Sequence, residues 1–254
     1  MGENNHPPEI MAIDGDSTFA FACHPELGCF TQCCRMLELA LTPYDVLRLR
    51  KGTGLNSAQL LERYVIIEQD PGEAFPRLYL TMVDDGHGSC PFVSDNGCAI
   101  YDHRPGACRT YPLGRGTSLG ANETLHERFV LIREKFCQGF SQQSCQNPKK
   151  YLEDQEAISY NRSNDKVAAI LQHEAVHSGL IPSQKDVDLF LLLLYDLDTL
   201  RHKLEQGLLA ECDDHVTEMD LQRWSDEELL DYAVGLLPKL IFPQMRPPAA
   251  DELR

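Results

Sequence analysis

Apolar positions change their period near residue 149, and that change divides the chain. Before it, hydrophobic residues alternate over short stretches. Residues 17–22, Ser-Thr-Phe-Ala-Phe-Ala, alternate in a strand-like way, and Leu78, Leu80 and Met82 recur at period two between Pro76 and Val83. Period two sends every second side chain to one face, so both stretches are expected to be half-buried strands. Asp84-Asp85-Gly86 reads as a turn. Ser94-Asp95-Asn96-Gly97, set between two short apolar stretches, predicts a hairpin. Residues 124–136 fit either a strand or a helix.

Helices are expected where caps precede helical periodicity. Thr42 can cap a helix running to Arg50, with Pro43 in its first turn, Asp45 complementing the positive dipole end, and Gly52 and Gly54 ending it. Ser57 is expected to cap a second helix through Tyr64. Beyond residue 149 a 3.6-residue period dominates at 167–177, 184–205 and 226–240, and Ser225 with Glu228 forms a capping box. The tail from Met245, with Pro247-Pro248, is expected to fray. The pattern predicts an α+β fold, with residues 1–148 as a small mixed domain and 149–254 as a helical region.

A hydrophobic fraction of 43% supports a packed interior in a 254-residue chain. Lys plus Arg number 23 against 39 Asp plus Glu, a net charge of −16. So acidic a surface repels phosphate backbones and anionic lipid, so neither nucleic acid nor a membrane surface is expected as a partner. The first residues, MGENNHPPEI, lack a basic segment followed by an apolar one, and the longest apolar run, Leu189 to Tyr195, is too short to span a bilayer. A cytoplasmic location is expected.

Cysteine changes the picture most. There are ten, and nine fall between Cys23 and Cys145. In a reducing compartment such a set suits metal or redox chemistry better than disulfides. The first cluster is Cys23-x5-Cys29-x3-Cys33-Cys34, the second Cys90-x7-Cys98-x9-Cys108, and Cys137 and Cys145 follow. Soft metals take thiolates, and short loops let several sulfurs converge. Neighbouring side chains point in different directions, so the Cys33-Cys34 doublet suggests more than one metal ion, or a second role for one thiol. Gly28 and Gly97 each precede a cysteine and permit tight turns whose amides can bond sulfur. Arg104 and Arg109 can balance thiolate charge. Cys145 and Cys212 taken alone read as small buried hydrophobes.

The string CPFVSDNGCAIYDHRPGACRTYPL, from Cys90 to Leu113, together with the doublet segment and Cys137-Gln-Gly, resembles the YkgJ-like CxxCxxCC family of zinc- or iron-chelating proteins. The resemblance covers about residues 17–140. Its opening spacing differs, since five residues separate Cys23 from Cys29 where the family has fewer. The resemblance implies Cys23, Cys29, Cys33, Cys34, Cys90, Cys98, Cys108 and Cys137 as metal ligands, enough for two four-ligand sites. Leu194-Tyr195-Asp196-Leu197-Asp198 and the late helix resemble longer members with a helical extension. Flagellin lysine N-methylases carry a domain of this type, which implies a cluster-dependent modifying enzyme as an alternative. No protein partner is indicated.

Sulfur ligation suits zinc and iron–sulfur centres alike. The sequence has no Cys-x2-Cys knuckle, and its irregular spacings favour an iron–sulfur cluster (4Fe-4S) or iron, with zinc as the alternative. Tyr111 and Arg104 are read as supports to the sulfurs, with a purely structural role for Tyr111 equally open. One motif competes. His173-Glu174-Ala175-Val176-His177 matches H-E-x-x-H, which on a continuous helix presents two histidines to zinc and a general base to water. Gly179 would end that helix near the site, and a solvated helix face is the simpler reading. Gly114 to Gly120 is glycine-rich but lacks the Lys-Ser/Thr of a phosphate loop, so it reads as a turn. No nucleophile–base pair stands out, so no catalytic residue is assigned.

Overall fold

The computed structural model describes residues 7–119, 125–209 and 218–242. Its strands are β1 (Glu9–Ile13), β2 (Phe19–Ala20), β3 (Ala40–Leu41), β4 (Val65–Glu68), β5 (Arg77–Leu80), β6 (Val93–Ser94), β7 (Gly97–Cys98), β8 (Leu113–Leu119), β9 (Leu125–Arg133) and β10 (Cys145–Gln146). Its helices are α1 (Pro43–Thr53), α2 (Ser57–Tyr64), α3 (Gly106–Thr110), α4 (Pro148–Asp154), α5 (Ile158–Leu171), α6 (Glu174–His177), α7 (Gln184–Tyr195), α8 (Leu197–Glu205), α9 (Glu218–Arg223) and α10 (Asp226–Ile241). Short antiparallel sheets with a helical second half make this an α+β fold. The sheets run β1-β9-β8, β10-β2, β3-β5-β4 and β6-β7. The Ser94–Gly97 turn closes a hairpin, with Val93 opposite Cys98. Among the described residues no helix is long and apolar enough to cross a membrane.

The capping boxes at Thr42 and Ser225 form as their side chains dictate. Four elements differ from expectation. The helix read at 184–205 is two, α7 and α8, parted at Asp196, which leaves the helical region at φ −112°, ψ 66° and caps α8 by accepting from the Thr199 amide. Asn56, not Ser57, caps α2, because Ser57 is drawn to Asp198, donating from its amide at 2.6 Å and its hydroxyl at 2.9 Å. The glycine-rich stretch from Leu113 is a strand, paired with β9 along its length; a side chain at Gly114 would come within 2.8 Å of Val130. The helix read at 167–177 is broken. α5 ends at Leu171, and His173 is extended at φ −60°, ψ 144°, where it caps α6. The tail from Met245 lies outside the described residues.

Two hydrophobic cores form. The larger packs Leu41, Leu47, Leu49 and Leu78 with Phe190, Leu194, Leu229 and Leu237, so it draws on both halves of the sequence. The smaller collects Phe19, Phe21, Leu113, Leu131, Tyr151 and Leu152. Asp45 ties the large core to the cysteine-bearing segments. It is 2% exposed and accepts from the Thr42 amide (2.8 Å), the Thr42 hydroxyl (2.8 Å) and, across the fold, the Gly106 amide (2.7 Å) that opens α3.

Asp45→Ala leaves those three donors unpaired, and a buried unsatisfied donor costs about 1–3 kcal/mol. The variant is expected to lose ~3 kcal/mol in urea denaturation. Burial raises the Asp45 carboxyl above its ordinary value, so the folded state binds the proton more readily than the unfolded one. The group's contribution then grows as pH falls through its folded pKa, and levels off below its unfolded value. The stability gap between wild type and Asp45→Ala is expected to widen on acidification; a gap that narrows would refute this account.

Candidate metal centre

The segment from Cys23 to Cys34 folds back on itself through consecutive tight turns. Leu27 N donates to His24 O, Phe30 N to Leu27 O, Gln32 N to Cys29 O and Cys34 N to Thr31 O, at 2.9–3.1 Å. Each turn shortens the path, which gathers Cys29, Cys33 and Cys34; Thr31 adopts φ +66° to let the last turn form. Two other segments are laced onto this one. On one side Cys90 N donates to Cys34 O (2.8 Å) and Met36 N to Gly88 O (2.8 Å). From there β6-β7 delivers Cys98, with Gly97 at φ +106° and so close to Phe30 that a Cβ would lie 3.2 Å from its ring. α3, started at the Asp45-bound Gly106, carries Cys108.

On the other side residues 137–146 clasp residues 19–29. Gln138 N donates to Cys29 Sγ (3.2 Å), Gly28 N donates to Gln138 Oε1 (3.1 Å), and Ala22 N donates to Gly139 O (3.1 Å). β10 completes the clasp by pairing with β2. Gly139 has no room for a side chain, since a Cβ would fall 2.4 Å from the Phe21 ring. The clasp sets Cys137 beside the Cys23–Cys29 loop. The amide bonded to sulfur is therefore Gln138's, while that of Gly28 goes to an amide oxygen.

The thiols act on one another. Burial, then Cys33, Cys29 and Cys137, push Cys23 up to about 11, while Arg104 pulls it back. The doublet thiols act on each other: Cys34 brings Cys33 down to about 7, and Cys33, with burial, raises Cys34. Cys34 also lies within electrostatic reach of Cys108 and Cys90. Burial, then Cys90, Asp45, Cys98 and Cys33, push Cys108 up to about 12, although the residue keeps an exposed face. Burial likewise raises Cys90 and Cys98.

Arg104 is 8% exposed and sits between these groups. Its guanidinium donates to Tyr101 O (2.8 Å) and Gln155 Oε1 (2.9 Å) and stacks 3.7 Å from the Tyr101 ring centroid. Among the described residues it has no carboxylate partner, yet its charge reaches both Cys23 and Cys98. Arg109 is 3% exposed and turns to Asp102 O, Gln155 O and Glu156 instead. The Tyr111 hydroxyl is buried without a hydrogen-bond partner and faces the Cys137 thiol; its ring meets Phe21 edge-on at 5.9 Å.

Among the described residues no three His, Cys, Asp or Glu side chains already stand as a finished metal site. What is present is a donor chemistry: the free thiols of Cys23, Cys29, Cys33, Cys34, Cys90, Cys98, Cys108 and Cys137, two of which, Cys23 and Cys98, feel the charge of the buried Arg104. That chemistry fits a soft metal or a cluster of them. Cys145 is exposed rather than buried, since β10 is short and at the edge of the clasp; Cys212 lies outside the described residues. Asp45 and Gln155 support the site without a sequence signal, because each acts on a residue far along the chain.

The H-E-x-x-H residues do not share a helix face. His173 Nδ1 accepts from the Ala175 amide (3.2 Å) and its ring stacks on Phe242 at 4.0 Å, so it is spent on capping and packing. Among the described residues the element after β8 is the strand β9, not the helix that a phosphate loop opens.

The fold and site define a class, an α+β protein built around a cysteine-rich centre. A family model, CxxCxxCC, described as a "Putative zinc- or iron-chelating domain", matches residues 22–156, and the chain belongs to that family. No curated protein and no solved structure matches it. The matched segment includes all eight thiols and runs through Gln155, the residue that holds Arg104.

A His173→Ala/His177→Ala variant is expected to keep the wild-type metal content, measured by elemental mass spectrometry on purified protein. Loss of one metal equivalent would restore the histidines as ligands.

Proposed function

We propose that this chain is a cytoplasmic thiolate metal-centre protein in which Cys23, Cys29, Cys33, Cys34, Cys90, Cys98, Cys108 and Cys137 hold the metal. Iron as an iron–sulfur cluster (4Fe-4S) is the favoured form and zinc the alternative. One observation carries the reading: the buried Arg104 guanidinium, with no carboxylate partner among the described residues. Removing a cation from water costs several kcal/mol after relaxation, and neutral acceptors recover only part of that. Four-thiolate zinc and iron–sulfur sites keep net negative charge, which supplies the missing counter-ion. Cys23 and Cys98 are the thiols that Arg104 already reaches.

The iron form is supported by the absence of Cys-x2-Cys knuckles and by the Gln138 amide directed at Cys29 sulfur. Hydrogen bonds to sulfur are a lever on cluster potential. When bound, the metal would supply redox or structural chemistry; the chain supplies the thiols, the amide bond to sulfur and the buried cation.

Anaerobically purified protein is expected to carry iron and acid-labile sulfide and to absorb broadly in the visible. Colourless protein with stoichiometric zinc would replace the iron form, and protein free of both metals would overturn the proposal. Arg104→Met is expected to weaken metal retention about 10–100-fold in a chelator competition, with Arg104→Lys retaining more than Met.

A further inference from the structure

We infer that the eight thiols form two separate centres, Cys23/Cys29/Cys33/Cys137 and Cys34/Cys90/Cys98/Cys108, which meet at the Cys33-Cys34 doublet and share Arg104. The inference rests on the thiolate-metal reading above. Its support is the way the fold holds the cysteines.

Each group has its own scaffold. Cys137 packs on the smaller core, with Phe21, Tyr111 and Phe140. The clasp of residues 137–146 ties it to the Cys23–Cys29 loop through the Gln138 amide on Cys29 sulfur and the β2-β10 pair. Cys90 and Cys98 pack on the larger core. They are joined by their hairpin, and the backbone bond from Cys90 N to Cys34 O holds them to the second cysteine of the doublet. Cys108 reaches the same group from α3, anchored to the larger core through Asp45.

The doublet lies on the seam. Among the sulfurs that act on Cys23, Cys33 comes first, and Cys34 is not among them. Those that act on Cys34, besides its neighbour, are Cys108 and Cys90, while Cys33 reaches Cys108 as well as Cys23, as a residue on the boundary of both groups does. Thiolates on adjacent residues repel at low dielectric unless each is bound to a cation. A metal on either side of the doublet meets that condition. Arg104 reaches Cys23 in one group and Cys98 in the other, so one buried cation serves both.

The full chain, purified anaerobically, tests this with metal counted by elemental and native mass spectrometry. Cys29→Ser/Cys137→Ser and Cys90→Ser/Cys98→Ser are each expected to lose half of the wild-type metal and keep the other half. If either pair empties the protein of metal while its circular dichroism stays native, the thiols form one shared centre and the inference falls. Where a serine pair fails to fold, Tyr111→Phe serves. It keeps the ring on Phe21 and removes only the hydroxyl facing Cys137. Metal release from that variant to a chelator is expected to be biphasic, with half of the metal leaving about 10-fold faster and half at the wild-type rate. Uniform acceleration of all the metal, or none, would overturn two centres. Wild-type protein without any metal would sink the underlying reading instead, and so is distinguishable.

Discussion

A guanidinium removed from water must find negative charge, and the surroundings of Arg104 are organised by that demand. Its nitrogens use neutral oxygens, those of Tyr101 and Gln155, and its plane lies on the Tyr101 ring. Its backbone carbonyl accepts from the buried Tyr160 hydroxyl of α5 at 3.0 Å. The residue is thus fixed from the hairpin side, from the end of α4 and from α5 at once. None of these contacts neutralises it. Among the described residues its charge reaches the thiols of Cys23 and Cys98 and the Tyr151 hydroxyl, and the two thiols, on different segments, are what support the proposed anionic thiolate centre.

The helical second half makes that arrangement possible. α1 lies against α5, α7 and α10 in the larger core, and its first turn carries Asp45. A carboxylate that accepts two bonds at its own helix cap and a third from Gly106 sets the start of α3 relative to α1. Arg50 extends the same logic to the far end of α1, pairing with Asp198 and Asp226 at 3.0 Å each. The cysteine-bearing loops have little regular structure of their own. They hold position because rigid helices are bolted to their ends, a support that short loops cannot supply alone.

Local physics was legible in the sequence, and distant pairing was not. Caps at Thr42 and Ser225, the 94–97 turn and the period-two stretch around Leu78 follow from neighbouring residues, and the fold obeys them. Three of the misreadings share a cause. Ser57 has a partner at Asp198, the glycine-rich β8 has a partner strand, and His173 has Phe242. The first and last join segments far apart in sequence, the second pairs consecutive strands, and each partner outweighs local preference. The family was legible through cysteine density and the Cys90–Leu113 string. The proposed grouping of the cysteines was not, because it depends on which core each loop packs against. Arg104 was legible as a cation near the sulfurs, but its lack of a carboxylate was not.

The doublet shows why grouping matters. Cys33 and Cys34 act on one another electrostatically, and deprotonating both sets two negative charges side by side. A proton or a metal keeps the second charge away. In the two-centre arrangement proposed above, metal ions on either side would replace that proton and turn a point of repulsion into a coordinate seam between the smaller core, which holds Cys137, and the larger, which holds Cys90 and Cys98. Since such bonds exist only in the folded state, their free energy adds to folding. On this arrangement the metals do more than occupy a loop: they fasten the two cores along the line where Arg104 lies.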